Sequence, residues 1–434
     1  MRSSINISFV IYFILLLILA LLLCKSVKSQ SENSELKGAI TRIDQPELNF
    51  KKWISGNFQF EAEKFVAQNF SFSDDIIKMH NQWDYTIWGN LNVKGVVEGK
   101  DKYLFEQLYI DGVKGLNLDN KKNFLDRKKK AIVKIHQENK KRNHELIFVV
   151  MPSKGSFYPE KIKDLDVNET PDYHIYDYFL DFAKEKNLNV INFHEYFLKQ
   201  KKMSEYPIFP KQGIHLSEYA ESVVLDSLLK YIENIRGEDI YKYHFSEPEL
   251  TTIPRNRDQD IGEPLNLMKP FPFDEILAYR HIQVERIKTE MVPNVLVIGD
   301  SFYWGLYSII NNLGLFGKHQ FWYRNHNIFP AEGKHLRQSN DQTCLHSLDN
   351  FDMTLIIINS NDMEWSGWGY FKNTARILNG SDPGIDLERV EYYIKKIYKN
   401  TTLLKQVKEK AIERGISLDS MVYLDAKWFF ENEQ

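Results

Sequence analysis

Cysteine is almost missing from this chain of 434 residues: there are two, Cys24 and Cys344. Cys24 lies in an apolar run near the N-terminus, so no disulfide framework is available. Exported proteins can lack disulfides, and the compartment stays open on this ground. A dominant charge is missing too. Lys and Arg number 56 against 59 Asp and Glu, a net charge of -3, which gives no bulk attraction for nucleic acid or an acidic polymer. No His, Cys and Asp cluster has metal-ligand spacing, so neither a metal nor another cofactor is expected. There is no internal repeat. Apolar residues are plentiful, at 43%, enough for a sizeable core in two or three domains or in one large domain with insertions.

The longest uncharged stretch is ISFVIYFILLLILALLLC, Ile7 to Cys24, with Arg2 before it and Lys25 and Lys28 after it. It falls between a secretory apolar region and the roughly 20 residues of a spanning helix, nearer the second. Three readings stand: an uncleaved membrane anchor, a signal cleaved near Val27-Lys28-Ser29, or a lipoprotein at Cys24, which Leu23 fits poorly. Each sends the rest of the chain out of the cytoplasm, to the periplasmic side. Residues 1–30 are therefore read as signal-anchor or signal peptide. Residues 31–95 are read as a linker and helical lead-in, with helical spacing around Phe60, Phe65 and Phe70, and residues 96–434 as the main domain.

Four short apolar runs predict buried strands: Leu146–Met151, Asn189–Phe193, Val295–Ile298 and Thr354–Ile358. None alternates, as expected for strands covered on both faces. A lysine-rich helical pattern at Lys121–Arg142 precedes them, Tyr173–Lys186 and Ser217–Ile235 stand between them, and two more follow at Asp386–Ile397 and Leu403–Arg414. This alternation predicts an α/β fold in three layers, a central parallel sheet with helices on both faces. Residues 241–290, rich in Pro, Asn and Asp at their start, are expected to cross over the site as an irregular excursion.

In such a sheet, reactive groups stand past the carboxyl ends of strands. VLVIGDSFYW places Ser301 there, after Gly299, where a side chain would obstruct the turn, and Asp300, which can bond turn amides. An ordinary N-cap has the same residue types. A nucleophilic serine needs a base, and His215 sits just before the amphipathic pattern Ser217–Ile235; His194, after a strand, is the lesser candidate. Asn359 and Asn361 follow the fourth strand, and an amide there can donate to an oxyanion, though Asn is also common turn chemistry. The aromatic runs FWYRN and WSGWGYF offer flat faces to sugar rings or fill the core.

Together these elements resemble the SGNH/GDSL hydrolase superfamily. Gly299-Asp300-Ser301 is similar to its nucleophile block, and Ser360-Asn361-Asp362 to its Gly-x-Asn-Asp block. Here His215 precedes Ser301, a circularly permuted order like that of the SGNH-hydrolase-like proteins of alginate and other exopolysaccharide O-acetylation. VVEGKDKYLFEQLYIDGVKG, FVVMPSKGSFYPEK, FPKQGIHLSEYA and RDQDIGEPLNLM resemble further elements of that family, across roughly residues 50–370. The resemblance implies ping-pong transfer of an acetyl group through Ser301 to a polysaccharide hydroxyl. His215 would be the base, and Asn361 and the Ser301 amide the oxyanion donors. From the residues themselves, Trp322, Tyr303 and Trp365 are read as contacts to substrate, and Arg324 as a partner for the carboxylate of an acidic sugar or for a surface Asp. The resemblance also implies a multi-pass membrane-bound O-acyltransferase as acetyl supplier. One element departs from the pattern. The family's Asp-x-His reads Gly213-Ile214-His215, so the carboxylate that orients the imidazole must come from elsewhere: Asp260, the assigned candidate, or Asp258 or Glu364, or else a backbone carbonyl holds the ring. Leu216 stands where the family often has Trp. Two other readings follow: a carbohydrate acetyl esterase with the same Ser/His pair, and a non-catalytic glycan-binding assembly subunit.

Overall fold

The computed structural model describes residues 11–16, 18, 36–38, 43–69, 73–332, 335–339, 341–379, 387–414 and 416–431. Most of the apolar run Ile7–Cys24 and Phe70 lie outside these. Among the described residues, no helix is long and apolar enough to cross a membrane.

Seven strands form one sheet: β1 (Glu145–Met151), β2 (Asn189–Asn192), β3 (Val295–Gly299), β4 (His319–Tyr323), β5 (Asn327–Glu332), β6 (His335–Gln338) and β7 (Met353–Asn359). Their spatial order is β6-β5-β4-β3-β7-β1-β2. From β4 to β2 every pairing is parallel. β5 runs antiparallel to both its neighbours, so the sheet is mixed and not wholly parallel as expected. The reversal has a local cause. Only Arg324, Asn325 and His326 separate β4 from β5, and Arg324 and Asn325 take φ of 50° and 51°. A turn that short can join only an antiparallel pair.

The two sheet faces bury different side chains. Ile147, Val149, Val297, Leu355 and Ile357 face α3 (Glu218–Arg236) and α4 (Trp304–Leu313). Phe148, Val150, Ile298, Ile356 and Ile358 face α1 (Leu118–Lys141), α2 (Ile175–Glu185), α5 (Asp341–Asn350) and α6 (Tyr370–Leu378). All seven residues of β7 are buried, and each buried Leu or Ile contributes about 2 kcal/mol. That double coverage is why the strand reads as an unbroken apolar run. α3 starts where Ser217 accepts the N–H of Ala220 at 3.2 Å, and it ends at Gly237, whose φ of 66° suits glycine.

Three C-terminal helices, α7 (Leu387–Lys399), α8 (Thr401–Arg414) and α9 (Leu418–Glu431), form a core of their own around Ile397, Val407 and Met421. They meet the main body through Arg127–Glu391 at 2.9 Å and the ring of Tyr392 on Trp365. The region 241–290 is less irregular than expected. It holds two antiparallel pairs, Tyr241–Phe245 with Ile282–Ile287 and Glu249–Thr251 with Leu277–Tyr279.

The register matters for function. Gly299 lies opposite Ile357 in β7 and Tyr323 in β4, while Asn359 lies opposite Met151 in β1. The carboxyl ends of four adjacent strands thus share one edge. Arg324, Ser301, Asn361 and Lys154 all follow directly from it.

Candidate active site

Ser301 is the first residue of a short 3-10 turn between β3 and α4. Asp300 caps that turn, its Oδ1 accepting the Phe302 N–H at 2.9 Å. The Asp300 carboxyl is buried, and desolvation pushes it up to about 6. Ser301 itself stays partly exposed.

His215 comes from the loop before α3. Its Nε2 lies 2.8 Å from Ser301 Oγ, and its Nδ1 is hydrogen-bonded to Asp260 Oδ2. The other oxygen of Asp260 accepts the Ile214 N–H at 2.9 Å. One carboxylate therefore holds both the backbone and the ring of the histidine loop. Burial, the largest influence, pulls the His215 imidazole below its usual range, and the Asp260 bond partly offsets it.

Gly213 explains why that carboxylate arrives from a distant turn. A Cβ on residue 213 would lie 2.7 Å from the Arg257 carbonyl oxygen and 2.8 Å from Pro210 Cγ. The backbone of the turn Asn256–Gln259 fills the space where an Asp side chain would begin, and the same turn ends on Asp260. Neither alternative is at the imidazole. Asp258 accepts the Tyr279 hydroxyl at 2.6 Å, and Glu364 pairs with Lys121 at 3.1 Å.

Two further residues position this machinery. Lys154, wholly buried just past β1, donates to the carbonyls of Pro210, Lys211 and Gly213 at 2.7, 2.9 and 2.7 Å. Burial pulls its ammonium down to about 7, while three carbonyls around one nitrogen favour the charged form. Arg257 donates to the Ser301 carbonyl at 2.8 Å and to Glu221 at 2.7 Å. The motifs PSKG and RDQD carried these residues in plain view. Nothing in either spacing says which loop each side chain will tie.

Glu221 is buried, and desolvation pushes its carboxyl up to about 7 despite Arg257. Arg257→Leu is expected to lower unfolding free energy by about 3 kcal/mol at pH 8, where the orphaned Glu221 must either stay ionised without its partner or take up a proton. At pH 6 the loss should be smaller, because protonation neutralises Glu221. Adding Glu221→Gln should recover much of the pH 8 loss. Denaturant titrations at both pH values test this, and an equal loss at each would remove Glu221 from the argument.

The remaining candidates divide. Arg324 is exposed beside the site, its N–H donating to the Gly299 carbonyl at 2.8 Å. Asn361 is buried, with Nδ2 donating to the Leu108 carbonyl at 3.2 Å and its side chain against Gly112, where a Cβ would fall 1.3 Å from Oδ1. Trp322 and Tyr303 are 1% and 0% exposed, which corrects their assignment to substrate. Trp322 is locked under Tyr370, and Tyr303 bonds His319 at 2.8 Å. Trp365 is half-buried between Phe124 and Tyr392 and braces helices. His194 packs on Tyr176, away from the Ser301–His215 pair.

Residues 96–304 match the family described as SGNH hydrolase-like domain, acetyltransferase AlgX. No curated protein matches the chain. Among solved structures it is similar to the O-acetyltransferase domain of Pseudomonas putida AlgJ, with a TM-score of 0.43 and 12% identity over 62% of this chain and 92% of that one. Pseudomonas aeruginosa AlgX gives 0.42 and 12% over 65% and 68%. Bacillus cereus PatB1 gives 0.40 and 13% over 62% and 96%. Residues 96–304, a little under half of the chain, are thus similar to the SGNH hydrolase-like domain of the acetyltransferase AlgX.

Proposed function

We propose that the protein moves an acetyl group through a Ser301 acetyl-enzyme to a hydroxyl of a surface or secreted polysaccharide. His215 Nε2 takes the Ser301 proton as Oγ attacks the acetyl carbonyl, then passes that proton to the departing donor group. In the second half His215 takes the proton of a sugar hydroxyl, that oxygen attacks the acetyl carbon, and the proton returns to Ser301. Asp260 keeps Nδ1 protonated and the ring aimed. The single observation that carries this reading is the 2.8 Å approach of His215 Nε2 to Ser301 Oγ with a carboxylate on the opposite nitrogen. The Ser301 amide and Asn361 are the proposed oxyanion donors, and Arg324, exposed beside the serine, the proposed contact to an acidic sugar. A multi-pass membrane-bound O-acyltransferase is the proposed acetyl supplier, with this domain held outside the cytoplasm behind its uncharged N-terminal run.

The test is a chromogenic acetyl ester offered with and without a glycan acceptor, together with peptide mass analysis. An acetyl mass on the Ser301 peptide, discharged by the glycan faster than by water, is the expected result. Discharge by water alone identifies an esterase, and no acetyl on Ser301 ends the proposal. The rate should also fall on the acid side with a midpoint below pH 6.5, because the base must be neutral and burial lowers its pKa. A midpoint above that value would exclude His215 as the base.

A further inference from the structure

A cavity with polar groups on largely apolar walls lies along the same sheet edge, and of its lining residues only Asn361 has a part in the proposed acetyl transfer. It has a volume of about 170 Å³, somewhat more than the engineered cavity of about 150 Å³ that admits a benzene ring. Ser360, past the end of β7, and Ser153 and Ser156, past the end of β1, line one wall. Their hydroxyls form a chain, Ser153 to Ser156 at 2.8 Å and Ser156 to Ser360 at 3.3 Å. His174 and His194 also line it. His194 is 8% exposed, and its Nδ1 has no hydrogen-bond partner among the described residues. A buried ring nitrogen left unpaired costs about 1–3 kcal/mol, and the histidine is retained beside the cavity all the same.

The chemistry of the walls selects the ligand. Both imidazoles are held neutral: burial pulls His174 below its usual range and His194 down to about 4. The one cation at the rim, Lys121, is spent on Glu364 at 3.1 Å and on the Asn361 carbonyl. No uncompensated charge remains to recruit an anion. Hydroxyls that donate and accept, neutral imidazoles, and apolar walls from Val113, Leu118 and Ile175 match a ring with C–H faces and several hydroxyls. Ser301 follows β3, and the cavity begins past β7 and β1. At about 4.8 Å per strand, that puts it one to two strands away along the edge. Asn361, which follows β7, is among the residues that line it.

We propose that this cavity binds one neutral sugar ring of the acceptor glycan, displaced along the chain from the hydroxyl that is acetylated. Only the word acceptor rests on the acetyl-transfer reading; the sugar site itself rests on the cavity. The full chain is titrated with methyl glucopyranoside and methyl mannopyranoside, and with glucuronate as the charged counterpart. Binding is read from the imidazole nitrogen shifts of His174 and His194. A neutral glycoside is expected to shift both imidazoles, and glucuronate to bind more weakly. Ser156→Phe, which fills the cavity, should abolish the shifts. Thr170→Trp, at another partly exposed lining position, should weaken them should Ser156→Phe fail to fold. No shift with either glycoside, shifts that survive both substitutions, or tighter binding of glucuronate would each overturn the proposal. Imidazole shifts in a protein that forms no acetyl-Ser301 would leave the sugar site standing and remove only the acetyl chemistry.

Discussion

Ser301→Ala is expected to lower the turnover of a chromogenic acetyl ester by about 10⁶-fold, and His215→Ala by nearly as much. Combining the two should cost little more than either alone. In the proposed mechanism the serine and the imidazole act as one device: Oγ without a base attacks slowly, and a base without Oγ has no proton to take. The geometry behind this expectation is the 2.8 Å contact of Nε2 with Oγ, made between a loop at residue 215 and a turn at residue 301. Neither substitution should unfold the protein. Ser301 is partly exposed, and His215 packs edge-on against Phe302, so thermal midpoints near that of the parent are expected. The measurement is kcat for both single variants and the double variant. Additive losses, or a Ser301→Ala protein that keeps a tenth of its activity, would falsify the pairing.

Parts of the molecule were legible in the sequence for one physical reason. β1, β3 and β7 are buried on both faces, and a strand so placed must be apolar throughout. LIFVVM, VLVI and TLIII therefore mark themselves, and so does the serine that follows VLVIG. β4, β5 and β6 do not. HQFWY ends on bulky aromatics, and NIFPAE and HLRQ lie toward an open edge, where polar residues and proline are tolerated. Their antiparallel pairing follows from a three-residue turn at Arg324–His326 that periodicity does not reveal. The same limit misled the reading of aromatics. Trp322 pairs in register with Ile298 and so faces the helices on the buried side, while Tyr303 falls on the core face of its turn. At a strand end, one residue decides whether a ring meets solvent or the core.

Long-range ties were the least legible of all. Lys154 is one of many lysines, and its importance lies in three carbonyls of a loop some 57 residues further along the chain. Composition and spacing carry no trace of that contact. What can be read is the exception to a rule: a lysine right after an apolar strand and a proline is poorly placed to reach solvent, and a buried ammonium must find acceptors. Arg257 and Asp260 pose a related problem. They share one turn, and that turn ties both halves of the site, the Ser301 carbonyl through Arg257 and the imidazole through Asp260.

That shared turn yields the second large effect. Asp260→Asn is expected to lower acetyl-ester kcat by about 10⁴-fold. An amide can offer its N–H to Nδ1 and so stabilise the tautomer with the proton on Nε2, which cannot accept from Ser301. Asp258→Asn, two residues earlier, should leave kcat within a few fold, since its carboxylate is engaged with Tyr279 and not with the ring. Residue 213, where the resemblance leads one to expect the carboxylate, offers a sharper comparison. Gly213→Asp in the Asp260→Asn background restores the Asp-x-His pattern on paper, yet it should fail to restore activity. Its Cβ would start 2.7 Å from the Arg257 carbonyl, so the loop can accept it only by moving His215. Recovery of more than about a tenth of the lost rate would show that the 257–260 turn yields easily and that the triad carboxylate can sit in either place. Failure, with the fold intact by circular dichroism, would mean that in this chain the glycine and the distant aspartate are two halves of one solution: the glycine vacates the space through which the turn delivers its carboxylate.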